Sequence, residues 1–167
     1  QNHIFDKLMD AGKDLGLKPF GIRAMNSLRV EKSYKLVGTE LSIEYSPYES
    51  GLDRFIHPNK GNFIGLEALN KWRAKGFDNK LVTLEVHSTK DADVLGNNPI
   101  YKDKKVVGRA TGGEFGFRLD KSIALAMVKP DCSNVGDKLQ VDILGEMYDA
   151  TVLDESPYDS ENILLRA

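Results

Sequence analysis

A single cysteine, Cys132, rules out a disulfide framework and any cysteine-based zinc site, and leaves that residue as a small, inert filler. Only three histidines are present, His3, His57 and His87; they stand far apart and share no ligand spacing, so no metal site is expected. Neither charge dominates. Twenty-three basic and 25 acidic side chains leave a net charge of -2, with no block of one sign. Nucleic-acid binding by phosphate neutralisation is therefore not expected. No apolar run approaches the roughly 20 residues that a membrane-spanning helix needs. The Walker, strand–GxGxxG–helix, HExxH and GxSxG patterns are all missing. These absences fit a soluble protein of a reducing compartment that uses neither nucleic acid nor membrane.

What remains is 167 residues, 41% of them hydrophobic, enough for one domain or a small domain joined to part of another. Ile4, Phe5, Leu8, Ala11 and Leu15 recur at helical spacing, opposite Asp6, Lys7, Asp10 and Lys13. Gly16 is placed to stop that helix, Leu17 to make the apolar contact, and Pro19 to block continuation. An amphipathic helix this close to the first residue needs a partner for its apolar face, an expectation that the chain is part of something larger. Residues 21–31 form a second helix with Ile22, Met25 and Leu28 on one face. Residues 33–45 suggest a loop with a short extended piece. Ser46-Pro47-Tyr48-Glu49 has the form of a capping box, and Gly51 can end its single turn. Residues 63–75 are expected to be a third helix, with Ile64, Leu66, Leu69 and Trp72 apolar and Gly76 as the stop.

From residue 80 the period becomes two. Val82, Leu84 and Val86 alternate with Thr83, Glu85 and His87. Further strands are expected at 99–101, 106–111, 122–128, 139–144 and 147–153. Turn signals separate them at Asn97-Asn98, 102–105, Gly112-Gly113, Pro130-Asp131, Gly136-Asp137 and Gly145-Glu146. Val82, Leu84, Val86, Val107, Ile123, Leu125, Met127, Val141, Ile143 and Val152 are expected to point inward. The fold class is α+β, a helix-rich part followed by a small antiparallel β-barrel, divided near residue 78 into regions 1–78 and 79–167.

The residues alone offer no complete catalytic set. The run from Gly112 to Gly116 can be read as an anion cradle or, in preference, as a hairpin linking two strands. Glu49 can act as an acid or base in a cleft, although its cap position already accounts for it. His87, Lys102, Lys104 and Lys105 fit solvated positions. Tyr45, Tyr48 and Tyr158 can stack on a flat ligand or pack in a core.

GIRAMNSLRVEK at 21–32 and SPYESGLDRFI at 46–56 carry a resemblance, continued by FIGLEAL at 63–69, KLVTLEV at 80–86, GNNPIY at 96–101, KVVGRATGG at 105–113, KSIALAMV at 121–128 and the closing SPYDSENILLRA. In order and across nearly the whole chain, these strings resemble the folate-binding aminomethyltransferase family. That is the module of the glycine-cleavage T-protein and of dimethylglycine and sarcosine dehydrogenases. LRVEK looks more like the dehydrogenase branch.

The resemblance implies that the helical region ends a central α/β domain and that the barrel is the family's C-terminal domain. It implies transfer of a one-carbon unit from an N-methylated glycine derivative, or an aminomethyl carrier, to tetrahydrofolate. In the dehydrogenase branch an upstream FAD domain of the same parent chain is implied. The partners are then a folate and an amine substrate, in the bacterial cytoplasm or the mitochondrial matrix. The family's key aspartate matches nothing here, so no catalytic residue is assigned and the chain alone is expected to be inactive.

Arg54 falls on an aromatic position lining the T-protein's folate cleft, and Tyr158 lies where the family returns an aromatic to it; both are candidate folate-binding residues. Met25 replaces a folate-contacting arginine and is expected in the core. Arg29 and Glu31 fit an ion pair or helix support. The alternatives are a non-catalytic docking module on the same barrel fold, or a folate-dependent demethylase or tRNA-modifying relative.

Overall fold

The structure is a computed structural model that describes residues 1–89 and 92–167. Three helices precede the sheet: α1 (Asn2–Gly12), α2 (Ile22–Glu31) and α3 (Leu66–Lys75). Six antiparallel strands follow: β1 (Lys80–Val86), β2 (Pro99–Lys102), β3 (Lys105–Gly116), β4 (Lys121–Val128), β5 (Lys138–Ile143) and β6 (Glu146–Leu153). They close into a barrel in the order β1-β4-β3-β2-β5-β6, with β6 returning to β1. Among the described residues each strand has a ladder partner on both sides, so no whole strand is left as an open edge, the standing aggregation hazard of small β proteins. The two-residue turns at Asp103-Lys104 and Leu144-Gly145 have positive φ throughout, which matches their twist to the strands they join.

The interior is a cluster that includes Val82, Leu84, Val86, Ile100, Ala110, Leu139, Val141, Ile143 and Val152, with Cys132 at its margin. Cys132 is buried, and that burial, aided by Asp131, pushes its thiol pKa up, as an unreactive packing residue requires.

β4 corrects the expected inward set. Its interior residues are Ala124, Ala126 and Val128, not Ile123, Leu125 and Met127. The register explains this: Leu84 lies opposite Ala124 and Val82 opposite Ala126, so large side chains of β1 face small ones of β4. Ile123, Leu125 and Met127 are fully buried too, but on the outer face. Val107 is partly buried against the cluster.

The cover on that outer face is α2, which packs on β3 and β4. Ser27 donates to the Phe115 carbonyl at 2.6 Å, and Val30 and Glu31 are buried. The expected face of α2 was the other one: Ile22, Met25 and Leu28 are exposed, Met25 by 39%, so Met25 is not a core residue. The reason lies in β3. A Cβ on Gly113 would come within 2.9 Å of the Ile123 carbonyl and of Val94, and one on Gly116 within 3.0 Å of Glu31 Cγ. These glycines sit inside β3, which runs on to Gly116, rather than in a hairpin at Gly112-Gly113; the turn comes at 117–120. Gly116 lets Glu31 of α2 approach the sheet closely, whereas Gly113 makes room on the other face, for Val94 of the interior cluster.

α1 ends in a 3-10 turn (Lys13–Leu15) and the left-handed Gly16, as its sequence predicts, yet none of its residues is buried. Ile4, Phe5 and Leu8 are all more than half exposed. α3 starts at Leu66 rather than at 63, because Gly65 holds φ at 97°, outside the helical region, and Ile64 stands free in solvent. Among the described residues no helix is long and apolar enough to cross a membrane, and no group of three His, Cys, Asp or Glu side chains could hold a metal ion.

Candidate functional site

The segment joining α2 to α3 is held to the barrel by the predicted capping box. Glu49 Oε2 accepts from the Ser46 backbone N–H at 2.9 Å and from the Ser46 hydroxyl at 2.9 Å. The Glu49 N–H donates back to Ser46 Oγ at 3.2 Å. Glu49 does more than cap. Its Oε1 accepts from the Asn79 N–H at 3.1 Å, and its carbonyl accepts from the Leu81 N–H at 2.8 Å. The carboxylate therefore ties the turn to Asn79, just before β1, and the backbone carbonyl ties it to Leu81 within β1, roles that the cap position does not announce.

Between that turn, β1, the end of β6 and the residues after it lies a cleft of about 370 Å³. Ser33, Tyr48, Thr83 and Val152 form part of its walls, with Lys35, Arg54 and Lys80 as its cations and Asp53 and Glu155 as its acids. Its base is hydrogen-bonded: Ser33 and Thr83 hydroxyls are 2.6 Å apart, and the Ser156 N–H donates to Ser33 Oγ at 3.0 Å. Lys35 Nζ lies 2.5 Å from Glu155 Oε1, and both residues belong to the lining.

Arg54 sits in a short 3-10 turn (Asp53–Phe55), exposed, with its guanidinium 4.8 Å from the centre of the Phe55 ring. It lines the cleft, as does Tyr48, whose ring packs against Phe77 with centroids 5.3 Å apart. Tyr158 does not line this cleft. Its N–H donates to the Glu31 carbonyl at 3.0 Å and its ring carries the Arg118 guanidinium at 4.8 Å. The two candidate residues thus belong to different surroundings.

The other candidates have structural partners. Tyr45 OH accepts from Arg109 Nη2 at 2.7 Å, and Arg109 also pairs with Glu44. His87 Nε2 is 2.8 Å from Thr151 Oγ1. Lys102 reaches Asp137 at 3.6 Å, while Lys104 and Lys105 are exposed. Arg29 does form an ion pair, but with Glu40 at 3.4 Å, whereas Glu31 Oε1 accepts from the Arg118 N–H at 2.7 Å.

Glu40 carries no signal in the sequence and is completely buried. Its Oε2 accepts from the Leu36 N–H at 2.8 Å and from Thr39 Oγ1 at 2.7 Å, and its Oε1 from Thr111 Oγ1 at 2.5 Å. Thr111 is the extra residue of a β-bulge between Ala110 and Gly112, which turns its hydroxyl toward Glu40. Burial pushes the Glu40 pKa up, but these donors, with Arg29, outweigh it and hold the carboxyl below its ordinary value.

A six-stranded barrel roofed by α2, with the loop cleft beside it, matches a known architecture. The model of the glycine cleavage T-protein C-terminal barrel domain matches residues 79–159, and that of the GCVT N-terminal domain matches residues 1–60. The chain belongs to the glycine cleavage T-protein family, as its sequence strings imply. It is 39% identical over 153 residues to the mitochondrial dimethylglycine dehydrogenase of Homo sapiens, covering 91% of this chain and 18% of that protein. It is 34% identical over 161 residues to the aminomethyltransferase of Caldanaerobacter subterraneus subsp. tengcongensis, covering 93% of this chain and 41% of that protein. The crystal structure of glycine cleavage system aminomethyltransferase T from Bartonella henselae superposes with a TM-score of 0.82 at 20% identity, over 95% of this chain and 44% of that one. At that identity the likeness concerns the fold. The chain spans less than half the length of each of these relatives.

Proposed function

We propose that this chain is the folate-facing part of a one-carbon transferase that passes a unit from an N-methylated glycine derivative, dimethylglycine or sarcosine, to tetrahydrofolate. The observation that carries the reading is the pair of consecutive family matches together with the 39% identity to a dimethylglycine dehydrogenase. On that reading residues 1–78 belong to the folate-binding α/β region and residues 79–167 are the barrel domain. An FAD-bearing domain of the same parent chain supplies the oxidised amine. The setting is the mitochondrial matrix or the bacterial cytoplasm, as the two kinds of relative suggest.

Within the chain, Arg54 is the residue for folate. It lines the cleft, it has no acidic partner among the described residues, and a guanidinium offers both a flat face to an aromatic ring and charge to a carboxylate. Tyr158 is the second folate contact proposed, reached from the Arg118 side.

The test is a titration of the chain with tetrahydrofolate, followed by amide chemical shifts. Arg54→Ala is expected to weaken binding by about 1–3 kcal/mol with the melting temperature unchanged. Glu49→Ala is expected to behave oppositely, losing about 1 kcal/mol or more of stability with its cap and its hold on Asn79. Methylenetetrahydrofolate formation from dimethylglycine by the chain alone should stay at background. No shifts in the wild type, or Arg54→Ala binding as tightly as the wild type, overturns the assignment.

A further inference from the structure

We infer that the Lys35–Glu155 ion pair is a displaceable seal on the cleft, in which Glu155 holds a cation that the carboxylate of an incoming glutamyl tail takes over. The inference rests on the folate reading of the cleft and adds to it an internal competitor for the ligand.

The pair is asymmetric. The Lys35 side chain is only 10% exposed, whereas that of Glu155 is 55% exposed. A largely desolvated ammonium cannot recover its hydration if its partner leaves, so it requires an anion. An exposed carboxylate that swings away regains water at little cost. Exchanging one carboxylate for another on Lys35 is therefore close to balanced, while leaving Lys35 bare is not.

The surroundings favour the exchange. With Glu155 turned out, the lining keeps Lys35, Arg54 and Lys80 against Asp53 alone. Arg54 and Lys80 have no acidic partner among the described residues. The segment also stays anchored without the pair. The Ser156 N–H donates to Ser33 Oγ at 3.0 Å, and the Ser156 hydroxyl donates to the Lys32 carbonyl at 2.7 Å. Glu155 can thus turn away without the chain behind it coming loose.

Two carboxylates fit the reading, a glutamyl tail and an N-methylated glycine. The Tyr48 ring in the lining and a volume of about 370 Å³ favour the tail, which brings an aromatic amide with it.

The experiment titrates the chain with p-aminobenzoylglutamate and, separately, with dimethylglycine. Glu155→Gln is expected to bind p-aminobenzoylglutamate roughly three- to fivefold tighter, the scale of a freed, partly exposed ion pair. Lys35→Gln should weaken binding, and the double variant should lose the gain. Dimethylglycine should show no gain in Glu155→Gln. Equal or weaker binding of p-aminobenzoylglutamate by Glu155→Gln, with or without a lower melting temperature, overturns the inference and leaves the pair a structural tether. A gain confined to dimethylglycine overturns the assignment to a tail. Arg54→Ala separates the two levels: if it weakens binding while Glu155→Gln has no effect, the seal falls and the folate reading stands; if neither matters, both fall.

Discussion

Two buried glutamates, 9 residues apart, differ in how much of their role lies nearby in the chain. Glu49 announces its local partner, because a capping box is written within four consecutive residues. Glu40 does not, because Thr111 comes from 71 residues away and reaches it only through a bulge in β3. Local spacing cannot encode a contact that depends on closing a barrel. Glu40 also carries a pH consequence. Its folded pKa lies below the ordinary 4.5, so its stabilisation is present in full above that value and is lost as pH falls through the lowered folded pKa. Glu40→Gln is expected to cost about 1.5–3 kcal/mol near pH 7, as a charged acceptor is lost. That difference should shrink on acidification below about pH 4.5. Melting curves from about pH 6 to about pH 3 measure it, and parallel profiles for wild type and variant would contradict the assignment.

At the scale of one element, β4 shows what alternation can and cannot tell. KSIALAMV is nearly continuous in apolar residues, the pattern of a strand buried on both faces. Its position and type are therefore legible, but its inner face is not, since both faces are hydrophobic. The decision falls to the neighbours: Leu84 and Val82 of β1 fill the interior and leave room only for Ala124 and Ala126 opposite. α2 has the reverse difficulty. Its apolar stripe of Ile22, Met25 and Leu28 is the obvious core face, yet Ser27, Val30 and Glu31 are buried instead, with Glu31 lying against the bare Gly116 of β3. The two helical and strand patterns give opposite expectations for two leucines. Leu125→Ala, on the outer face of β4, should lose about 2–5 kcal/mol of stability. Leu28→Ala, on the supposed core face of α2, should stay within about 0.5 kcal/mol. Denaturant unfolding of the two variants checks this, and similar losses in both would show that α2 is packed the other way.

Over the whole molecule, long-range pairing and local helix structure part company. All six strands close on one another around a single apolar cluster, whereas α1 contributes no buried residue. An isolated helix of 11 residues falls below the roughly 12–15 that are marginal in water even for favourable sequences. Its N-terminal end has no local support: Gln1 makes no side-chain cap and the first turn has no acidic residue; at the other end the last turn has no basic residue and only the Gly16 stop, with the Leu17 N–H on the Gly12 carbonyl at 3.1 Å, closes it. The onset of the strands at Lys80 was legible because the hydrophobic period changes there; the exposure of α1 was legible only as a stripe in search of a partner. Hydrogen exchange should therefore rank the elements. Amides of β1, β4 and β6 should exchange last, at or near the global unfolding free energy, with the segment 33–60 faster and α1 fastest of the regular elements. The contrary result is informative in its own terms. If α1 is protected as well as the strands are, its exposed Ile4, Phe5 and Leu8 have found a cover. Dilution then distinguishes the source, because protection lent by a second copy falls with protein concentration, while protection from within one molecule does not.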